Sequence, residues 1–480
     1  MIYKKLNKFQ FIILAAICFI IFLYFKLFFI FTGDPVAIYT TASVNILNGD
    51  ISWYTDQPSI FNNHTSIPIL LLLKYFGGYE DYLSTFLNNH ILLNQLLNYV
   101  YAFFILLSIA HIFIFINYLN NNSIYSIAVL LIVFFNTPIF TDFIFSSDNI
   151  AFIFMLNSIL FLNSNYRQSR NLSLIFFILA FLNKSLYLIF IFIFIRKTFL
   201  ELIKNNDNRI YIGVNFYDLI KLISLTLIIC YFFWSFYEFQ RHVGFLLLPK
   251  IFDHENALSV IAIFKTLQKG LENNPLFFII LFGNFISIFF IIKKNFYHRL
   301  VSNLIIIIIT CMLVSTRAYK ADVYFLVLNL LLLDNLILLK FHLINKRNIY
   351  IFSFVYLIIF LFLFNNKIYP TYIERVNNEL ERQSIINKYK DNECIIDSVD
   401  KSNIDEKTKG EFYKIIFKQF KLINGYSRYK YQDIIWSHIL EKNNIKNYYL
   451  LNIYDGKIYD YKNELVKDKI DRSKCVKYLG

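Results

Sequence analysis

Glycine, proline, methionine and tryptophan are scarce here, at 12, 7, 3 and 3 residues in a chain of 480. With so few chain breakers there is no low-complexity linker, and no internal repeat is visible. The 5 cysteines form no CxxC pair and no His/Cys cluster, so nothing has the spacing of a structural zinc site. Acidic residues are the minority charge, 33 against 47 basic ones, for a formal net charge of +14. No small-residue cleavage site follows the first apolar run, so that run reads as a retained signal anchor.

What the chain has in excess is apolar length. It is 57% hydrophobic, in repeated runs that no ordinary soluble domain tolerates. The expected fold is a polytopic α-helical membrane protein with a small C-terminal α/β domain. The surplus of Ile, Phe, Tyr, Asn and Lys also has the look of an AT-rich genome, so aromatic abundance carries no weight as a ligand signal. Cytoplasmic loops and anionic headgroups account for the basic charge, and nucleic acid is not an expected partner.

Hydropathy predicts about eleven membrane segments. They lie near 9–31, 89–117, 124–140, 149–163, 171–182, 186–195, 217–237, 275–292, 300–315, 322–341 and 348–364. The run 66–76 is too short to cross and reads as an interfacial or re-entrant helix. With a cytoplasmic N-terminus, the inside loops hold Arg167, Arg170, Arg196, Lys197, Lys204, Arg209, Lys293, Lys294, Arg299, Lys346 and Arg347. This follows the positive-inside rule. The region 171–195 reads either as one helix with Lys184 halfway along it or as a hairpin with Lys184 at its tip. The hairpin keeps the basic loops on one side and spares an ammonium from hydrocarbon, and is preferred.

Residues 1–365 form the expected membrane domain, and 366–480 an extracytoplasmic domain where charges of both signs mix. Within the latter, 371–389, 409–423 and 433–441 look helical, 393–397 looks like a strand, and 448–461 looks like a hairpin turning at Asp455-Gly456. Cys394 and Cys475 are the only cysteines there. They either form a disulfide, if the domain faces an oxidising compartment, or are two separately buried thiols.

Three polar clusters fall on the same expected outer face. The first is Asp34-Pro35 with Tyr39, in a stretch (31–56) that has no Lys or Arg. The second is Thr141, Asp142 and Ser146 to Asn149, around Asp148. The third is Lys184 with Arg317, Tyr319, Lys320 and Tyr324. Carboxylates beside cations can accept a hydroxyl proton and hold a phosphate leaving group. Simpler readings compete: Asp148-Asn149 as a helix cap, the cations as headgroup contacts, Asp34-Pro35 as a turn opening. His64, His90, His242 and His254 lack metal-like spacing and read as loop residues, with His64 the one exception. No metal ligands are assigned, and a divalent cation as cofactor stays open.

The order of these clusters resembles the GT-C superfamily of integral-membrane glycosyltransferases, nearest the protein O-mannosyltransferases and the aminoarabinose transferase of lipid A. The resemblance runs through Asp34, Tyr39 and Ala42, then Gly49-Asp50, then His64 to Pro68 with Phe76-Gly77. It continues with Asp148, Leu182-Asn183-Lys184-Ser185, and Arg317 to Tyr324. The chain departs from the family pattern at Pro35, at the single Pro68, and in lacking a late proline. The resemblance implies transfer of a sugar from a polyprenyl-phosphate carrier to a lipid, glycan or protein acceptor, outside the bacterial plasma membrane. It implies Asp34 as general base with Asp148 assisting. Lys184, Arg317 and Lys320 would hold the carrier phosphate, and Tyr39, His64, Tyr319 and Tyr324 would bind substrate. Two other readings remain: a flippase for a lipid-linked saccharide, or a polysaccharide polymerase or ligase using Arg241 and His242.

Overall fold

The protein is described by a computed structural model, covering residues 8–28, 34–49, 60–120, 123–134, 147–164, 169–194, 200–204, 210–214, 216–232, 276–293, 297–316, 321–338, 369–399, 437–460, 464–467 and 470–478, with scattered positions at 261–268, 351–366 and 412. These residues are mostly helical, with a small sheet. The chain divides into two compact units. One comprises Met1–Phe29, Gln57–Asn62 and Asn98–Tyr369; the other comprises Ile30–Asp56, Asn63–Leu97 and Pro370–Gly480.

In chain order the helices are α1 (Lys8–Phe28), α2 (Asp34–Leu47), α3 (Ile60–Gly77), α4 (Tyr82–Asn120), α5 (Ser123–Phe134), α6 (Ser147–Leu162) and α7 (Ser169–Asn183). A short hairpin, β1 (Leu200–Lys204) with β2 (Ile210–Val214), precedes α8 (Phe216–Phe232), α9 (Leu276–Lys293), α10 (Tyr297–Thr316), α11 (Ala321–Leu338) and α12 (Tyr369–Tyr389). The strands β3 (Cys394–Val399), β4 (Asn447–Asn452), β5 (Ile458–Asp460) and β6 (Val476–Tyr478) follow.

The expectation of eleven spans is corrected. Among the described residues, one helix is long and apolar enough to cross a membrane, Leu92–Leu119 within α4. Seven further apolar stretches, of 10–17 described residues each, fall at expected segments within α1 and α6 to α11. Polar residues and a broken helix explain part of the shortfall: α6 and α7 have 16 and 15 residues and end in Asn- and Ser-containing turns. The segment 186–195 is a 3-10 helix (Ser185–Phe190) followed by one α-turn (Ile191–Phe194). The run 66–76 belongs to the longer α3, and the segment 348–364 has only scattered described positions.

In the first unit the helices are joined by polar side chains turned inward. Gln10 of α1 donates to Asn117 of α4 at 3.2 Å. The pairs Phe104–Phe154, Ser108–Asn157 and His111–Phe161 advance together along α4 and α6, so those two helices run parallel. Helices α6 and α7 are antiparallel, held by Ser158 and Ser173, each of whose hydroxyls donates to the other's carbonyl at 2.8 Å. Small hydroxylated residues let the two backbones approach closely. Asn284 of α9 donates to the Leu328 carbonyl of α11 at 3.0 Å, Asn303 of α10 to Asn335 at 2.7 Å, and Asn335 to Ser287 at 3.1 Å. A Cβ at Gly283 would lie 3.2 Å from the Leu332 side chain, a tight approach at the α9–α11 crossing.

The opposite faces of these helices are apolar and exposed. Phe9, Phe11, Phe19 and Ile20 of α1 are all more than 60% exposed, while Gln10 is 9% exposed. The same inversion recurs in α9, with Phe282, Phe285 and Phe289 outward and Asn284 and Ser287 buried, and in α10, with Val301 and Ile308 outward and Ser302 and Asn303 buried.

In the second unit, Asp81 accepts from the backbone N–H of Ser84 at 2.6 Å and caps α4. The sheet has the order β5-β4-β3-β6, with β3 parallel to both β4 and β6, and β4 antiparallel to β5. The β4–β5 turn is the expected one, with Gly456 at φ +67°. Cys394 and Cys475 are joined by a disulfide. Beneath the sheet Asp397, 1% exposed, accepts from the Tyr448 hydroxyl at 2.6 Å and from the Phe412 N–H at 2.9 Å. The rings of Tyr389, Phe412, Tyr448 and Tyr478 pack together around it. The expected helix 409–423 lies outside the described residues except for Phe412.

Candidate functional site

Helix α7 ends where its sequence runs into Asn183-Lys184. Lys184 leaves the helix with φ −148° and ψ 111°, its N–H still donating to Ala180 O at 2.9 Å. The Phe194 ring then stacks on Phe177 with centroids 4.4 Å apart. A continuous helix from 177 to 194 would hold those rings about 25 Å apart. The chain therefore reverses at Lys184, and the single-helix alternative falls away.

The tip is pinned from two sides. Asn183 accepts from the first-turn N–H of Phe61 at 3.1 Å, satisfying one of the donors that a helix start leaves open, and donates to Leu179 O at 2.6 Å. Lys184 Nζ meets Asp148 Oδ1 at 2.7 Å. The serine cross-link explains why. About 15 Å back along α6 from Ser158 lies Asp148, and about as far forward along α7 from Ser173 lies Lys184. The antiparallel register delivers one to the other. Asp148 also sits in the first turn of α6, where the helix dipole favours a carboxylate. Both side chains are partly accessible, 19% and 21%, so an incoming ligand can reach the pair.

The remaining expected residues are spread over the chain. Asp34 is the first residue of α2, so the alternative that Asp34-Pro35 merely opens a turn gives way to a helix start; its side chain is outside the described residues. Pro35 suits that position, because a helix's first turn needs no N–H from it. Tyr39 is fully buried in the same helix. Ser43 Oγ lies 3.0 Å from the Tyr39 carbonyl and also reaches the carbonyl of Asn63, next to half-buried His64 on α3. Asp34, Tyr39 and His64 belong to the second compact unit, Asp148 and Lys184 to the first. Arg317, Tyr319 and Lys320 lie outside the described residues, as do Arg241 and His242; Tyr324 is in α11, with its side chain also outside them.

Sequence reasoning missed several residues. Tyr187, one helical turn past Lys184, is fully buried and donates its N–H to Lys184 O at 3.0 Å. Asp334 of α11 is fully buried and accepts from Asn163 at 3.0 Å. His111 bonds Asn157 at 2.8 Å across the α4–α6 contact. An Asp or His inside an apolar run was the signal available for the last two. Among the described residues no three His, Cys, Asp or Glu gather as metal ligands.

In the C-terminal sheet region the Lys446 ammonium, 2.9 Å away, holds the Glu393 carboxyl below its usual range. Hydrogen bonds from Ser473 do the same for Asp471. Burial, with Lys442 nearby, lowers the His438 imidazole.

No protein-family model, no curated protein and no solved structure matches the chain.

Proposed function

We propose that this chain is an integral-membrane glycosyltransferase, moving a sugar from a polyprenyl-phosphate carrier to a lipid, glycan or protein acceptor on the outer face of the plasma membrane. The observation that carries the reading is the Asp148–Lys184 pair, a reachable carboxylate and ammonium held 2.7 Å apart where α6 begins and α7 ends. Such a pair suits a reaction in which a hydroxyl loses a proton while a phosphate departs.

Membrane embedding is supported by the burial pattern, which is inverted relative to a water-soluble fold. Phenylalanine and isoleucine face outward along α1, α8, α9 and α10, while Gln, Asn, Ser and Thr pair inside. In hydrocarbon that arrangement is favourable, because only the polar groups need protein partners. On this reading the apolar helices lie in the bilayer and the N-terminus is cytoplasmic. Residues 366–480 then face outward, and the Cys394–Cys475 disulfide fits an oxidising compartment.

In the reaction the acceptor hydroxyl attacks the anomeric carbon. The new acceptor C–O bond forms as the bond from that carbon to the phosphate oxygen breaks. The hydroxyl proton passes to Asp34, Asp148 steadies the acceptor or a bound cation, and the polyprenyl phosphate leaves with the bonding electrons. Lys184, Arg317 and Lys320 offset its charge. Tyr39, His64, Tyr319 and Tyr324 line the substrate path.

The test supplies labelled polyprenyl-phosphate sugars to purified wild type, Asp34→Asn and Asp148→Asn. Sugar release by wild type, with loss of at least about 10²-fold in the Asp34 variant, is expected for removal of a general base. Equal release by Asp34→Asn removes Asp34 from the mechanism. No release by wild type, with the carrier crossing the bilayer of liposomes, favours a flippase.

A further inference from the structure

A closed circuit of contacts runs around the Asp148–Lys184 pair, all of it within the first compact unit. Lys184 Nζ meets Asp148 Oδ1 at 2.7 Å. Asp148 stands in the first turn of α6, and about 9 Å further along that helix stands Phe154. The Phe154 ring meets the Phe61 ring edge-on, with centroids 4.9 Å apart and an interplanar angle of 88°. Phe61 in turn donates its N–H to Asn183 Oδ1 at 3.1 Å, and Asn183 is the residue before Lys184. Phe104 of α4 locks the junction, edge-on to Phe61 at 5.5 Å and to Phe154 at 5.9 Å. Edge-to-face contact is the arrangement that ring quadrupoles favour.

The circuit matters because neither the helix nor the ion pair fixes the tip of α7. Lys184 has left the helix, at φ −148° and ψ 111°, and the Ser158–Ser173 clasp lies about 15 Å back along it. A partly accessible ion pair contributes little to holding its own geometry, because solvent screens it and both side chains must be ordered to make it. On the glycosyltransferase reading the Lys184 ammonium also has to turn to the carrier phosphate, and then the pair holds nothing. We infer that Phe61 is the strut of the site: its ring fixes it to α6 through Phe154, its N–H fixes the tip through Asn183, and Lys184 keeps its place opposite Asp148 whichever anion it faces. Phe61 is thus a positioning residue acting on Lys184 through Asn183. Placement of this kind matters to a transferase because a shift of about 1 Å in a binding group can cost about 10²-fold in rate.

The consequence for substrate rests on the phosphate-binding role proposed for Lys184, so the test has two arms. The first needs no ligand. Full-length wild type, Phe61→Ala, Asn183→Ala and the double variant are treated with a carbodiimide, which joins a carboxylate to an amine only where the two touch. The 148–184 cross-link is then quantified by mass spectrometry. Wild type should form it, and each single variant should lose at least about fivefold in yield. The double variant should lose no more than the worse single one, because ring and amide lie in series on one strut and residues that share a contact do not act additively. Two separate packing roles would instead make the losses multiply. Yields within about twofold of wild type in either single variant, losses that multiply, or no cross-link in wild type each overturn the inference. Phe61→Leu, which keeps apolar bulk without the ring edge, takes the place of Phe61→Ala if the latter does not fold.

The second arm measures binding of undecaprenyl phosphate by the same proteins and by Lys184→Met. Binding should be at least about 10-fold weaker in Lys184→Met, Phe61→Ala and Asn183→Ala, as expected when a charge-assisted contact is lost or misplaced. Weak binding by Lys184→Met with wild-type binding by the other two overturns the positioning role. Wild-type binding by all three, or no binding by wild type, while the cross-link falls as expected, removes the phosphate role from Lys184 and weakens the transferase reading; the strut then stands.

Discussion

Breaking the Cys394–Cys475 bridge should loosen the C-terminal sheet by a large and calculable amount. The two cysteines stand 81 positions apart, so the bridge closes a long loop. The chain-entropy relation for a loop of that size gives about 4.5 kcal/mol at 25 °C, near the top of the usual 2–5 kcal/mol for lost native bridges. The bond staples β3 to the edge strand β6, a pairing of only three registered residues, Ile395–Val476 to Asp397–Tyr478. At about 1.4 kcal/mol per decade, opening of the sheet should become roughly 10³-fold more frequent. The assay is trypsin digestion of full-length wild type and Cys394→Ser/Cys475→Ser, under conditions where cleavage reports the open population. Residues 370–480 of the variant should be cut about 10³-fold faster, and maleimide should label residues 370–480 of wild type only after reduction. A change below threefold, with free thiols verified in the variant, would refute the reasoning.

Tyr448→Phe removes the 2.6 Å donor to the buried Asp397 carboxylate. The loss of a hydrogen bond to a charged group, about 1.5–3 kcal/mol, should raise the same cleavage rate by one to two decades. Gly283→Leu drives a side chain into Leu332 at the α9–α11 crossing, and should lower the thermal midpoint of the detergent-solubilised protein by an overpacking cost of about 1–3 kcal/mol, with Gly283→Ala affected less. His438, whose Nε2 is buried without a hydrogen-bond partner, has its folded pKa depressed by burial. Its contribution is complete above the unfolded value near ~6.5 and is lost as pH falls through the folded one, so protease resistance of 437–442 should drop below about pH 6.5 and His438→Gln should flatten that drop. Glu393→Gln should ease the loss of resistance at acid pH, since a carboxyl lowered by Lys446 contributes stability above its unfolded pKa and surrenders it as pH falls through the folded value.

Helix positions were legible because long apolar runs carry them, and the break at Lys184 was legible because an ammonium is costly in the middle of such a run. Helix lengths were less so. Asn284, Asn303 and Asn335 interrupt apolar runs without ending them, and only their interhelical bonds show why they are tolerated. A turn stood as one alternative for Asp34-Pro35 because the pair opens turns and helices alike; nothing local separates the two. The meeting of Asp148 with Lys184 depends on the Ser158–Ser173 register, which no local pattern specifies. The parallel placement of β3 beside β6 was hidden for the same reason, since nothing local says which strand lies beside which.

The Ser158–Ser173 clasp has a consequence for how this chain tolerates insertions and deletions. Measured from the clasp, Asp148 and Lys184 are reached by counting helical residues, and each residue added or removed there turns everything beyond it by about 100°. The connection at 163–168 lies on the other side of the clasp and enters neither count. Relatives of this chain should therefore vary in the length of that turn while keeping fixed the residue counts from 148 to 158 and from 173 to 184. A single-residue deletion in either arm should separate the pair as thoroughly as replacing one of its members.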